Sequence, residues 1–307
     1  MRWRRSSQTQ VEDRRGDAAG GMFGGGSRGG LGSGGMGIPL PIGGGLGGII
    51  IVVIFLLLSG AFSGGSTGGL GGLGGEAPGG GAFQSLDPAD EQAQFLNAVT
   101  VDIQTFWEKS FQAAGKQYPT TVLVLFSQAT QTGCGVASSA TGPFYCPADQ
   151  KVYLDTGFFD ELASQRFGAP GDFAQAYVIA HEFGHHVQNA LGIMDQVASE
   201  QQSNPDRAND LSIRLELQAD CLAGTWAHSV WAQPDQSDVE SITQEDVSEA
   251  IKATEAVGDD RIQDQATGTI NKESWTHGSS EQRTKWFQTG FQQGTTEGCD
   301  TFAVAQP

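Results

Sequence analysis

Phe173-Ala-Gln-Ala-Tyr-Val-Ile-Ala-His-Glu-Phe-Gly-His-His-Val-Gln-Asn-Ala-Leu191 is the stretch from which the rest of the chain is read. No proline interrupts it, apolar residues approach its centre, and Gly192 follows as a stop signal, which predicts a helix over 173–191. Its middle, His181-Glu-Phe-Gly-His185, is an HExxH. On a helix the two histidines lie one turn apart on one face, so both imidazoles reach a single metal ion. Glu182 is turned about 100° further round, near enough to hydrogen-bond a water at that ion without ligating it. The competing reading is a pair of packing histidines with no metal.

A catalytic zinc needs a third protein ligand and an open position. His186 lies on another face of the helix and reads as a packing residue. Downstream, Leu215-Glu-Leu-Gln-Ala-Asp-Cys221 carries Glu216 and Asp220 one helical turn apart among apolar neighbours. Like charges at that spacing repel mildly unless a cation sits between them. Glu216 is therefore expected as the third ligand, with Asp220 orienting a histidine through its other ring nitrogen. Further on, His277-Gly-Ser-Ser-Glu-Gln-Arg283 lies between Trp275 and Trp286. His277 is a candidate donor to the oxyanion of a tetrahedral intermediate. Arg283 either pairs with an acid such as Asp220 or faces that oxyanion. The plain alternative is a helix cap at Ser279 or Ser280 with Arg283 on the outer face.

Working outward, the 307 residues include 45 glycines, and residues 1–82 are over one-third glycine. Such a segment has too few large apolar side chains to offset its ordering entropy. Residues 1–41 are accordingly expected to be a disordered Arg/Gly-rich segment, and residues 63–82 a Gly/Ser tether. Between them, residues 42–62 contain the run Ile-Ile-Ile-Val-Val-Ile-Phe-Leu-Leu-Leu over 49–58 and no charge, which predicts one transmembrane helix. A cleaved signal peptide is the rival, with Ser59-Gly60-Ala61 as its small residues, but the n-region before the run would be unusually long. Arg2, Arg4, Arg5, Arg14, Arg15 and Arg28 precede the span, and no Lys or Arg follows it before Lys109. The positive-inside rule then expects the N-terminus in the cytoplasm and residues 83–307 outside it, anchored to the inner membrane.

The total charge of −18 is concentrated behind the arginines. A globule this acidic repels phosphate backbones, which argues against nucleic acid as a partner. Cys134, Cys146, Cys221 and Cys299 form no CxxC and suit structural bridges on the exported side. The short Gly/Ser/Ala/Thr-rich loop between Cys134 and Cys146 makes those two the natural local pair, leaving Cys221 with Cys299. Hydrophobic patterning predicts a helix over 87–111, a buried strand over 121–126, a hairpin of 143–146 with 151–155, and helices over 209–228 and 243–257. Thr243-Gln-Glu-Asp246 is a capping-box variant.

Gly135, Gly142-Pro-Phe-Tyr-Cys-Pro147, Ala180-His-Glu-Phe-Gly-His-His-Val-Gln188, Glu216-Leu-Gln-Ala-Asp-Cys221 and His277–Arg283 together resemble the neutral zinc metallopeptidase family of bacterial proteins, commonly membrane-anchored. HExxH followed by ExxAD is also similar to the gluzincins, including the membrane proteases that process CAAX proteins. The resemblance implies a mostly helical α+β domain with the active-site helix beneath an edge strand. It implies one Zn²⁺ held by His181, His185 and Glu216, and hydrolysis of peptide bonds in a peptide or protein substrate. Glu182 would take a proton from a zinc-activated water and pass it to the leaving amine. The strand over 151–155 is the expected partner for an extended substrate. A catalytically silent exported scaffold of the same fold is the second reading.

Overall fold

The computed structural model describes residues 1–17, 85–165, 167–234 and 238–307. The expected membrane span over 42–62 and the linker over 63–82 lie outside the described residues. Among the described residues no helix is long and apolar enough to cross a membrane.

The domain is α+β and mostly helical. In chain order its strands are β1 (Arg2–Trp3), β2 (Val11–Asp13), β3 (Leu123–Phe126), β4 (Ala129–Thr132), β5 (Gly135–Ser138), β6 (Phe144–Cys146), β7 (Lys151–Asp155) and β8 (Val239–Ser241). Its α-helices are α1 (Glu91–Ala113), α2 (Gly157–Ala163), α3 (Asp172–Ala190), α4 (Ile193–Ser203), α5 (Ala208–Ala232), α6 (Gln244–Ala256), α7 (Asp259–Thr267) and α8 (Ser280–Gln293). Four strands form one sheet in the order β2-β3-β7-β6, parallel except for the final antiparallel β6–β7 pair. The 143–155 hairpin is present, but β7 lies inside the sheet, flanked by β3 and β6. The expectation that Lys151–Asp155 offers an open edge is therefore corrected. The edge beside α3 is β6, because β3 takes the other side of β7.

Segment ends follow local chemistry. The first helix begins four residues later than its Asp87-Pro88 signal, because the Asp90 carboxylate caps it by accepting the Ala93 N–H at 2.9 Å. Thr243 and Asp246 form the reciprocal capping box of α6. Gly192 adopts the left-handed conformation after α3, at φ +74°. Phe173, Tyr177 and Phe183 of α3 pack into a core with Leu96, Ile103 and Trp226, so the HExxH helix runs through the middle of the domain.

Two glycines let α5 and α8 touch backbone to backbone. A Cβ on Gly224 would lie 2.1 Å from the Phe287 carbonyl oxygen, and one on Gly290 would lie 1.9 Å from that of Cys221. This crossing carries Arg283 to the metal-side helices, and the disulfide Cys221–Cys299 lies beside it. Gly290→Ala should cost about 1–3 kcal/mol by overpacking, read as a lower urea midpoint at unchanged slope. Cys134 and Cys146 form the other bridge, so both pairings occur as expected.

The first 17 residues are not a disordered extension, which corrects that part of the 1–41 expectation. β2 lies along β3, with Val11 opposite Leu123 and Asp13 opposite Leu125, and β1 pairs with β8. Glycine content averaged over 1–82 hid this, because residues 1–17 contain only Gly16 and do contain Trp3 and Val11. Trp3 meets Phe95 edge-on at 5.6 Å, and Val11 is 1% exposed.

Lys151 to Glu12 and Arg15 to Asp90 join this arm to the body, while Arg14–Glu12 and Arg15–Asp13 pair within it. Burial pushes the Glu12 and Asp90 carboxyls up, but Arg14 and Lys151 at Glu12, and the Ala93 N–H and Arg15 at Asp90, bring both below ordinary values. Arg15 does the same for Asp13. Depressed carboxyls stabilise the fold fully above about pH 4 and lose that contribution as pH falls through their lower folded values. Amide protection factors in residues 10–14 should thus fall on acidification before those of α5.

Candidate metal centre

His181 and His185 face Glu216 of α5 across the interface of α3 and α5. Glu216 Oε2 lies 3.1 Å from His181 Nε2, and its Oε1 lies 3.4 Å from His185 Nε2. One ligand atom from each residue falls within 4.8 Å of the others. The close approach depends on Gly184, where a Cβ would lie 3.0 Å from the Ala219 backbone. The glycine inside the motif thus serves helix packing rather than chemistry.

The Nδ1 atoms of both histidines are already engaged. His181 Nδ1–H donates to Asp220 Oδ1 at 2.8 Å, and His185 Nδ1–H donates to Gln188 Oε1 at 2.9 Å. Gln188 is held in turn by donating to the Leu215 carbonyl at 2.7 Å. Both Nε2 atoms are thereby left as acceptors on the side shared with Glu216. Two imidazole nitrogens and one carboxylate, oriented by outer partners, fit zinc by ligand type and number. Among the described residues this is the one such group. Burial opposes charge on Glu216, yet His185 and His277 keep its carboxyl well below the usual range.

Asp220 is fully buried and accepts three hydrogen bonds from two partners besides His181. Tyr177 Oη–H donates to it at 2.6 Å, and Arg283 donates from Nε at 2.8 Å and from Nη2 at 2.9 Å. Arg283 lies 4% exposed and points inward, so the outer-face alternative fails and its pairing with Asp220 holds. Burial opposes ionisation of Asp220, but Arg283 and His181 bring its carboxyl down to about 2. Tyr177 and Gln188 were missed in the sequence. Their signal was helical spacing, since Tyr177 is four residues before His181 and Gln188 three after His185.

Glu182 is 8% exposed and lines the same cleft, which has a volume of about 190 Å³. Burial raises its carboxyl above the ordinary value. His277 reaches this cleft from the turn before α8. Its Nδ1–H donates to Asp259 Oδ1 at 3.2 Å, while Asp259 Oδ2 accepts the backbone N–H groups of Thr276 and His277, both at 2.7 Å. Gly278 makes that turn at φ +89°, and Ser279 caps α8, so the cap and the inward histidine coexist. Asp259 carries no local sequence signal for this role, being 18 residues from its partner. His186 is a packing residue as expected, accepting at Nδ1 from Tyr145 Oη–H at 3.1 Å and donating from Nε2–H to the Pro119 carbonyl at 2.5 Å. Apolar walls come from Phe144, Phe158, Val178, Met194 and Leu215.

The profile of the family described as "Putative neutral zinc metallopeptidase" matches residues 1–302. "Uncharacterized protein YpfJ" of Escherichia coli K12 is 41% identical over 305 residues, covering 98% of this chain and 99% of that one. "Uncharacterized protein Rv2575" of Mycobacterium tuberculosis H37Rv is 48% identical over 185 residues, 59% of this chain and 62% of that one. No solved structure matches.

Proposed function

The chain belongs to the neutral zinc metallopeptidase family, and on that premise we propose that it is a zinc-dependent endopeptidase. The observation that carries this reading is the pair of His Nε2 atoms facing Glu216, with Glu182 buried in the same cleft and outside the ligand set. A scaffold that merely bound zinc would have no use for a buried carboxylate beside it. Zinc held by His181, His185 and Glu216 would polarise a scissile carbonyl and acidify a water.

The chain's own residues supply the rest. Glu182, buried in the cleft, accepts the water proton and returns it to the leaving amine. Asp220 and Gln188 hold the two imidazoles in the tautomer that ligates. His277, its Nδ1–H held by Asp259, would donate from Nε2–H to the oxyanion in its doubly protonated form. Arg283 acts through Asp220 as a positioning residue. An extended peptide would lie along β6, the sheet edge whose Phe144 and Tyr145 line the cleft. The two disulfides support a seat outside the cytoplasm, where thiols are not kept reduced.

The test is zinc content together with cleavage of casein or a peptide library. One zinc per chain, with cleavage lost on chelation and recovered on adding zinc, is expected. Stoichiometric zinc without cleavage anywhere in the library would sink the endopeptidase reading. His277→Ala should keep zinc and fold while losing ~10²–10³-fold in kcat with little change in KM. Wild-type turnover in that variant removes His277 from the catalytic set.

A further inference from the structure

We propose that the N-terminal arm, residues 1–17, and the body of the domain share one compartment, so that no single membrane crossing separates them. The two parts are built for one another on both sides of their contact. Asn97 and Gln104 of α1 are each 2% exposed; both amide atoms of Asn97 are bonded to the arm, and Gln104 gives it one bond besides the two it shares with Thr121. Asn97 accepts the Gln10 N–H at 2.9 Å and donates to the Gln8 carbonyl at 2.7 Å. Gln104 donates to the Gln10 side chain at 2.6 Å. Take the arm away, and a buried amide pair loses partners while β3 gains an open edge over the core; each is costly.

The arginines, counted as topological signals in the sequence, have other work. Arg15 bonds Asp90 of the body at 2.5 Å and Arg4 lies 3.6 Å from Asp238, while Arg15–Asp13 at 2.6 Å and Arg14–Glu12 at 2.8 Å are pairs within the arm. Arg5 pairs with Glu91. The arm is thus a basic strand neutralising part of an acidic body. The Arg15–Asp90 pair also ties the end of the arm to the start of α1.

A single crossing cannot be reconciled with this closure. One helix over 42–62 would separate its ends by about 30 Å of hydrocarbon and put arm and body on opposite faces. A return crossing needs a second run of some 20 apolar residues, and residues 18–84 contain only the one centred on 49–58. The docked arm and the single pass exclude one another, and the buried partners on α1 decide for the docked arm. On the exported seat that the disulfides favour, the arm would lie outside the cytoplasm with the body.

All four native cysteines are bridged, so one introduced cysteine is the sole free thiol. Ser7→Cys reports the arm and Ser203→Cys the body, both exposed positions. Spheroplasts expressing each full-length variant are treated with a membrane-impermeant maleimide before and after lysis. Equal labelling of the two, whether before lysis or only after it, is expected; labelling only after lysis would move both parts to the cytoplasm and sink the exported seat alone. Body labelled before lysis with arm labelled only after would overturn the proposal. Hydrogen exchange on the purified full chain is the second measurement. Residues 10–14 should be protected, and Asn97→Ala should remove that protection while α5 keeps its own. An unprotected arm in the unsubstituted protein overturns the proposal independently.

Discussion

Glu182→Ala is expected to bind zinc as the unsubstituted chain does and to hydrolyse peptides ~10²–10⁴-fold more slowly, the range set by general-base catalysis. The side chain is not among the three that face one another as ligands, so metal content should survive its loss. It is buried in the cleft, so its removal opens space without exposing the core. Burial also disfavours its charged form, so deleting it relieves a desolvation cost, and the melting temperature should hold or rise slightly. The measurement is kcat beside zinc stoichiometry on the same preparation. If kcat is unchanged with zinc bound, another group takes the proton, and the role assigned to Glu182 falls.

Asp220→Ala should have the largest effect on the fold. Asp220 is 0% exposed and accepts from His181, Tyr177 and two of the three guanidinium nitrogens of Arg283. Removing it leaves the Arg283 guanidinium buried without its counter-ion, which costs about 3–5 kcal/mol. It also frees the His181 ring, and losing such an outer partner typically weakens metal binding by about 10–100-fold. Replacing both ends of the pair, Asp220→Asn with Arg283→Met, should recover much of the stability but not the metal affinity. Hydrogen bonding of Asn to His181 lacks the carboxylate's charge, whereas the guanidinium no longer needs one. Equal recovery of both properties would show that Asp220 supports only the fold. Urea denaturation and a competitive zinc titration separate the two.

The chemistry was legible early because a helix makes it local. HExxH puts two imidazoles on one face whatever surrounds them, and the same periodicity makes Glu216 and Asp220 neighbours on the second helix. Caps at Thr243 and the stop at Gly192 are likewise written in three or four consecutive residues. The Cys134–Cys146 bridge follows from a short loop. Asp259 escaped because its bond to His277 joins the first residue of α7 to a turn 18 residues on, with nothing in the intervening residues to announce it.

By itself, then, the sequence determined the α+β class, the HExxH helix, the carboxylates at one-turn spacing and a cysteine set suited to two bridges. Only the tertiary structure decided which strand is the open edge, which way Arg283 points, what orients His277, and where the first 17 residues belong. Lys151–Asp155 reads as a solvent-edge strand until β3 pairs with its far side. The N-terminal arginines read as a topogenic cluster until Asp90 and Asp238 appear beside them. Properties set within one or two helical turns depend on backbone geometry common to all chains. Strand order and charge pairing depend on which distant segments bury against one another, and that is settled by the packing of the whole core.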